Sequence, residues 1–293
     1  MKFVITGSLG NISKPLSLAL INAGHQVTIV TSKSANAAAI EALGATAAVG
    51  SVEDVDFLTA TFSGADAVYT MIPPKWDAAD WKAYIGGIGA NYTAAIAASG
   101  VKKVVNLSSI GAHLPEGCGP VTGLYRAEQS LNTLTDVAIR HLRPAYFFTN
   151  LFANIGLIKH LNVIGSNFGE QPIALVHPTD IAAVAAEELL SLSFTGHSVN
   201  YIVGDERTGN EIASVLGTAI GQPDLPWVVF SDEQSLQGAI GAGLSHEVAS
   251  NYTEMGTAMR SGAMSEDFLQ NRNALTSTKL EDFAPAFAAA FHA

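Results

Sequence analysis

The residues best placed to do chemistry come first in the chain. A short apolar run at residues 3–5 ends in Thr6-Gly-Ser-Leu-Gly-Asn-Ile-Ser13, and a helical run follows. The pattern is Gly7-x-x-Gly10-x-x-Ser13. Gly7 permits a tight turn, Gly10 lets the backbone approach a pyrophosphate, and a small side chain at Ser13 lets the helix pack on the strand. The helix start supplies free N–H groups and positive potential for phosphate. Placement after a strand and before a helix is the context that turns this spacing into a dinucleotide site. At the end of the second apolar run NAD binders carry an acid for the ribose hydroxyls. Here Val30-Thr-Ser-Lys-Ser34 has none until Glu41. Thr31, Ser32 and Lys33 together suit a 2′-phosphate, which favours NADP(H) over NAD(H).

Other chemistry is thinly supported. The single cysteine, Cys118, excludes an intramolecular disulfide and a Cys-rich zinc site, and a lone loop cysteine is the weaker nucleophile reading. The eight histidines form no His-x-x-x-His or Glu-x-x-His cluster, so no metal is expected. Gly-x-Ser-x-Gly is absent. His113, four residues after Ser109, is either a proton donor near neutrality or a solvated loop residue. His177 reads as a packing residue at a helix start, with Asp180 in the first turn.

These residues need a scaffold, and its rhythm is visible. Short β-rich runs at 3–5, 27–30, 46–49, 67–72, 104–107 and 137–142 alternate with helix-like stretches at 14–23, 35–43, 55–62, 79–99 and 125–134. Such alternation predicts βαβ units, hence an α/β fold with a doubly wound parallel sheet covered on both faces. Beyond Pro144 the rhythm changes. Helices are expected at 145–159 and from Pro178 to about 190, strands at 172–176, 199–203 and 227–230, and a terminal helix at 285–293. The expected division is a dinucleotide-binding domain over 1–148, continued by 173–204. A smaller C-terminal substrate lobe takes 149–172 and 205–293. Trp76 and Trp81, after Pro73-Pro74, suit a lid over the cleft or an exposed helix start. Tyr146, Phe147 and Phe148 are consecutive and cannot all face one core, so at least one lines the cleft or a subunit contact.

Taken together these motifs resemble the short-chain dehydrogenase/reductase superfamily, and within it the atypical NmrA-like branch of quinone reductases and NADP-sensing regulators. The resemblance rests on Thr6-Gly-x-x-Gly-x-x-Ser13, on Gly64-Ala-Asp-Ala-Val-Tyr69 leading into Met71-Ile-Pro-Pro74, and on Gly100-Val-Lys-Lys-Val-Val105 leading into Leu107-Ser-Ser109. It continues with Leu142-Arg-Pro144 followed by Asn150, and with Val176-His-Pro-Thr-Asp-Ile181. It covers about residues 1–205. It implies that Gly7, Ser8, Gly10, Asn11 and Ile12 touch the pyrophosphate, and that Ser51 and Val52 lie at the adenine. Ser51 stands where the branch commonly has Asp. Met71, Ile72 and Pro73 would border the nicotinamide ribose, with Ser108 and Ser109 ending the fifth strand. Tyr146, Phe147, Phe148 and Asn150 would lie near the nicotinamide and the substrate, with Phe148 and Asn150 on the substrate side.

Dehydrogenases of the superfamily use Tyr-x-x-x-Lys with an upstream Ser. Here Tyr125-Arg-Ala-Glu-Gln129 has Gln for the Lys, with Ser109 sixteen residues upstream. A neutral Gln129 cannot depress the Tyr125 pKa, and Arg126 points about 100° away around a helix. Tyr125, His113 and Ser109 are thus the candidate catalytic groups of a weakened set. Quinone reduction needs less, since water can protonate the product oxyanion. The leading expectation is an NADP(H)-dependent reductase of a quinone-like or other conjugated small molecule. A non-catalytic NADP(H) sensor acting through a protein partner is the alternative, and a carbonyl- or sugar-modifying extended dehydrogenase is the third reading.

Composition bounds these readings. The chain has 293 residues and a net charge of −11, with no basic run, which argues against direct nucleic-acid binding. Its 48% hydrophobic and 14% charged content argues against disorder. No window of 18 apolar residues and no secretory signal pattern occurs, so no membrane segment is expected and the cytoplasm is the expected address. A homodimer or a protein partner stays open.

Overall fold

The computed structural model describes all 293 residues. Six parallel strands are laid down first: β1 (Lys2–Ile5), β2 (Gln26–Thr31), β3 (Thr46–Val49), β4 (Ala67–Thr70), β5 (Lys103–Leu107) and β6 (Ala138–Pro144). Then β7 (Tyr146–Phe147), β8 (Ile164–Ser166) and β9 (Ile173–Val176) build a smaller lobe. β10 (His197–Ile202) joins the main sheet, and β11 (Asp205–Arg207) and β12 (Trp227–Val229) return to the lobe. The main sheet is wholly parallel, in the order β10-β6-β5-β4-β1-β2-β3. The order reverses beside β1, which pairs with β2 through Ile5–Ile29 and with β4 through Ile5–Tyr69. A crevice must open at the C-terminal ends of β1 and β4, because their connections leave in opposite directions.

The helices are α1 (Ser13–Asn22), α2 (Ala37–Ala42), α3 (Val55–Phe62), α4 (Trp81–Ser99), α5 (Pro120–Leu131), α6 (Ile155–Leu161) and α7 (Pro178–Ser191). They are followed by α8 (Gly209–Ala219), α9 (Asp232–Gly241), α10 (His246–Arg260), α11 (Glu266–Gln270) and α12 (Leu280–His292). Several starts are written in the sequence: Asp54 accepts from Phe57 N at 3.0 Å and Asp80 from Ala83 N at 2.8 Å. Thr208 and Ser231 form capping boxes with Glu211 and Gln234. One face of the sheet packs on α1 and α7 through Phe3, Leu16, Ile29, Ile181 and Leu189, all at most 1% exposed. The other packs on α3 and α4 through Val68, Leu58, Tyr92 and Ile96, all fully buried. Both faces are therefore covered, as near-continuous apolar strands require.

The lobe has its own core, in which Phe148, Leu175, Ile212 and Phe287 are all fully buried. Here one expectation fails. Residues 145–159 are not one helix: Tyr146 and Phe147 form a strand against Leu175 and Val176, a 3₁₀ segment spans Phe148–Asn154, and only then does α6 begin. The aromatic pair takes the extended state because β9 offers it ladder bonds. A buried ion cluster ties α5, β6, β10 and α11 together. Arg143 of β6 donates to both Glu128 carboxylate oxygens, at 3.0 and 2.6 Å, and to Tyr201 Oη, Asp267 and the Ala112 carbonyl. Glu128 is 1% exposed, so the pair is desolvated and holds α5 against the sheet.

Candidate functional site

The glycine turn sits at the reversal point. Thr6 N donates to Tyr69 O at 3.1 Å, and the buried Thr6 hydroxyl accepts from Met71 N at 2.8 Å. Tyr92 of α4 donates to Met71 O at 2.6 Å. Thr6 and Tyr92 thus pin the ends of β1 and β4 together, a role no local sequence signal marks. Gly7 has φ +93°, and a Cβ there would lie 2.4 Å from Ser13 Oγ. Ser13 Oγ in turn donates to Thr6 O at 2.8 Å, so the small residue at 13 both makes room and closes the turn. Gly10 is exposed, and its Cβ would meet only Gly7 O at 3.0 Å. The α1 start has no side-chain cap: its N-cap residue is Ile12. Lys14 N is spent on Gly10 O at 3.0 Å and Pro15 carries no N–H, so the amides left for a pyrophosphate are those of the turn and of Ser13.

Ser8 adopts φ +55°, a conformation Gly takes more cheaply. Its hydroxyl donates to Thr31 Oγ1 at 2.9 Å and accepts from Asn36 Nδ2 at 3.0 Å. Asn36 also donates to Thr31 Oγ1, at 3.2 Å. This corrects one expectation. Thr31 is 2% exposed and its hydroxyl is committed to Ser8 and Asn36, so it positions the turn and does not present itself to a phosphate. Ser32 and Lys33 are exposed beside it. No acid stands there, and Asn36 is the residue that sequence reasoning missed.

Ser51 is exposed and turns on itself, its Oγ accepting from Glu53 N at 3.1 Å, while half-buried Val52 gives its carbonyl to Asn91 Nδ2 at 3.3 Å. Met71, Ile72 and Pro73 are half-buried along the crevice edge. Ser108, at the end of β5, is 5% exposed and its hydroxyl has no partner. Ser109 Oγ donates to Ile110 O at 2.9 Å. A glycine cradle, an uncapped helix start and an orphaned Ser108 hydroxyl fit a dinucleotide.

The weakened catalytic set stays weak. Tyr125 is half-buried, Gln129 is exposed, and Arg126 is spent on Glu116 at 2.9 Å. His113 is not the solvated loop residue of the simpler reading: both ring nitrogens are enclosed and unpartnered. His177 caps α7, its Nδ1 accepting from Thr179 N at 3.2 Å while the ring packs on Phe148 and Phe283. Cys118 is fully buried, and burial pushes its thiol up to about 12, which removes it from chemistry. No cluster of His, Cys, Asp and Glu is arranged to hold a metal.

A cleft of about 1070 Å³ opens in the lobe and reaches Tyr146 of β7 and Trp76 of the β4–α4 loop. Tyr146 and Asn150 line it, with Trp76, Phe168, Trp227 and Tyr252. Trp76, half exposed, stacks at 6.2 Å on Tyr252 and lies 5.3 Å from Trp81, which is itself buried in α4. Half-buried Phe147 stays in β7, outside the cleft lining. Phe148 is a second correction: it is fully buried, stacked 5.6 Å from Phe283, and belongs to the lobe core rather than the cleft. Burial raises the Tyr146 phenol well above its ordinary value and Tyr252 to about 12, so both are neutral donors.

Comparison with known proteins agrees with this geometry. Residues 7–138 match an NAD(P)H-binding family. The chain is 25% identical over 252 residues to an NAD(P)H azoreductase of Xenophilus azovorans, covering 86% of this chain and 85% of that one. It is 23% identical over 220 residues to a (4-alkanoyl-5-oxo-2,5-dihydrofuran-3-yl)methyl phosphate reductase of Streptomyces griseus, covering 75% and 74%. Among solved structures, an NADPH-dependent quinone oxidoreductase of Escherichia coli complexed with NADPH superposes with TM-score 0.83 at 20% identity, covering 99% of each chain. A Citrobacter triphenylmethane reductase complexed with NADP(H) gives 0.80 at 20%, covering 98% and 100%. No helix is long and apolar enough to cross a membrane. Residues 7–138 thus match an NAD(P)H-binding family, and the chain shares the Rossmann-like fold of the quinone oxidoreductase at 20% identity.

Proposed function

We propose that the protein is an NADPH-dependent reductase of a quinone-like or similarly conjugated small molecule. The observation that carries this reading is one pairing. A large, mostly apolar cleft reaches Tyr146, two residues beyond β6, and the only tyrosine in the customary place, Tyr125, has Gln129 where the lysine would stand. Ser32 and Lys33 meet the 2′-phosphate, with no acid to prefer a free ribose. The relatives named for azo, quinone and triphenylmethane reduction support a conjugated acceptor.

The bound dinucleotide supplies two electrons and one proton as hydride. A quinone takes these at one end, and its remaining oxyanion takes a second proton from water, giving the hydroquinone and oxidised cofactor. The chain's own work is positional. Gly7, Gly10 and the α1 start hold the diphosphate, Thr6 and Tyr92 fix Met71, and the aromatic walls orient the acceptor and exclude water. The test is NADPH oxidation at 340 nm against a quinone panel, with cofactor affinity measured in parallel. Turnover supports the reading. Tight binding without turnover on any acceptor overturns it and assigns an NADP(H) sensor acting through a protein partner.

A further inference from the structure

We infer that the cleft selects an uncharged, multi-ring acceptor and rejects phosphorylated, sulfonated or nucleotide-linked ones; the inference names the substrate class of the reductase proposed above and rests on that reading. Twenty-nine residues line the cleft, and not one is Lys, Arg, Asp or Glu. Anionic ligands of this size are held chiefly by fixed cations, and a site without them leaves the charge largely uncompensated. One charged pair beside the lining is spent on itself: Arg260 donates to both Asp232 oxygens, at 2.8 and 2.9 Å, and Asp232 also accepts from Asn167. His160 lies exposed at the rim, and the remaining titratable groups, Tyr146 and Tyr252, are neutral phenols without a hydrogen-bond partner in the chain.

A second observation points the same way. The net charge of −11 gives the protein an overall field that disfavours the approach of anions. Size gives the other half of the inference. At about 1070 Å³ the cleft is at the upper end of small-molecule sites, and a single ring would leave most of it wet. Trp76 and Tyr252 offer a stacked aromatic wall against which fused rings lie flat. Tyr146, at the end of the sheet, offers its hydroxyl to a carbonyl.

The experiment compares 1,2-naphthoquinone with its 4-sulfonate, and 9,10-phenanthrenequinone with 1,4-benzoquinone, on the full-length protein. Two readouts are kept apart. One is kcat/KM from NADPH oxidation. The other is quenching of tryptophan emission without cofactor, since Trp76 and Trp227 line the cleft. The sulfonate is the better electron acceptor by intrinsic chemistry, so a preference for the neutral quinone reports the site. We expect at least tenfold weaker quenching and at least tenfold lower kcat/KM for the sulfonate, and a higher kcat/KM for phenanthrenequinone than for benzoquinone. Leu161→Lys, at a lining position 63% exposed, should narrow the sulfonate penalty severalfold without disturbing the core. Ala239→Arg is a second variant for the same purpose. Equal or better use of the sulfonate, benzoquinone preferred over phenanthrenequinone, or no quenching by any of the four overturns the inference. Selective quenching with no turnover keeps it and rejects the reductase reading alone.

Discussion

Replacing Gly7 by Ala tests whether the turn is built as described. The added Cβ would stand 2.4 Å from Ser13 Oγ and 2.8 Å from Met71 Cγ, at a backbone φ of +93°. A left-handed backbone costs a residue with a Cβ roughly 1–2 kcal/mol. Relief of the overlap also requires Ser13 Oγ to leave Thr6 O, 2.8 Å away and buried. Leaving that group unpaired costs about 1–3 kcal/mol. The sum is about 2–5 kcal/mol, and at roughly 2–3 °C per kcal/mol for a chain of this length the apo Tm should fall by about 4–15 °C. Calorimetry or urea unfolding of the cofactor-free protein measures this. The double variant Gly7→Ala/Ser13→Ala removes the hydroxyl that the methyl strikes. It should therefore be about 1 kcal/mol more stable than the two single losses added together. A Tm within 2 °C of the parent, or strict additivity in the double variant, would show that the turn relaxes by another route and that Ser13 is not its closing contact.

Four further outcomes are expected. Gly10→Val should leave apo stability nearly intact, because its Cβ meets only one backbone oxygen, yet abolish the thermal shift that NADPH gives the parent, about 2.7 kcal/mol at a hundredfold excess over Kd; parent-like affinity rejects the pyrophosphate site. Lys33→Ala should weaken NADPH by about 1–3 kcal/mol while NADH binding stays level, and equal loss for both removes Lys33 from the 2′-phosphate. Tyr125→Phe should slow quinone reduction by less than about tenfold, and a loss of about 10²–10⁴ would restore a general-acid mechanism. His141, buried between Asn106 and Asn132, has its pKa lowered by desolvation. Its contribution to stability is present above the unfolded histidine value of about 6.5 and is lost as pH falls below it. The urea midpoint should drop from pH 7.5 to pH 5 more steeply in the parent than in His141→Gln, and parallel slopes in the two proteins would refute this.

The sheet was legible because each of its strands is a local event. Phe3–Ile5 and Val104–Leu107 announce themselves by β-branched and apolar runs whose neighbours in sequence are helices. The lobe was harder. β7 and β11 are two and three residues long and exist because β9 lies between them, information that sits about thirty residues away in the chain. Aromatic density at Tyr146–Phe148 looked helical for the same reason, as did the placing of Phe148 in the cleft. Within the site, the glycine spacing was readable, whereas Asn36, Tyr92 and Asn91 act through contacts made only after folding. The cleft walls come from the 3₁₀ segment and α6, from β8 and the loop after it, and from α9, α10 and the loop at Trp76, segments with no shared sequence pattern.

The burial of Cys118 has a consequence for the proposed reaction. Quinones and related acceptors alkylate thiolates by conjugate addition, and a protein that handles them exposes its own nucleophiles to attack at every encounter. This chain has one thiol, fully enclosed and with its acidity suppressed to about 12. At neutral pH about one molecule in 10⁵ carries the thiolate at any instant. Under the proposed reaction an electrophile leaving the cleft therefore meets no accessible thiolate to arylate.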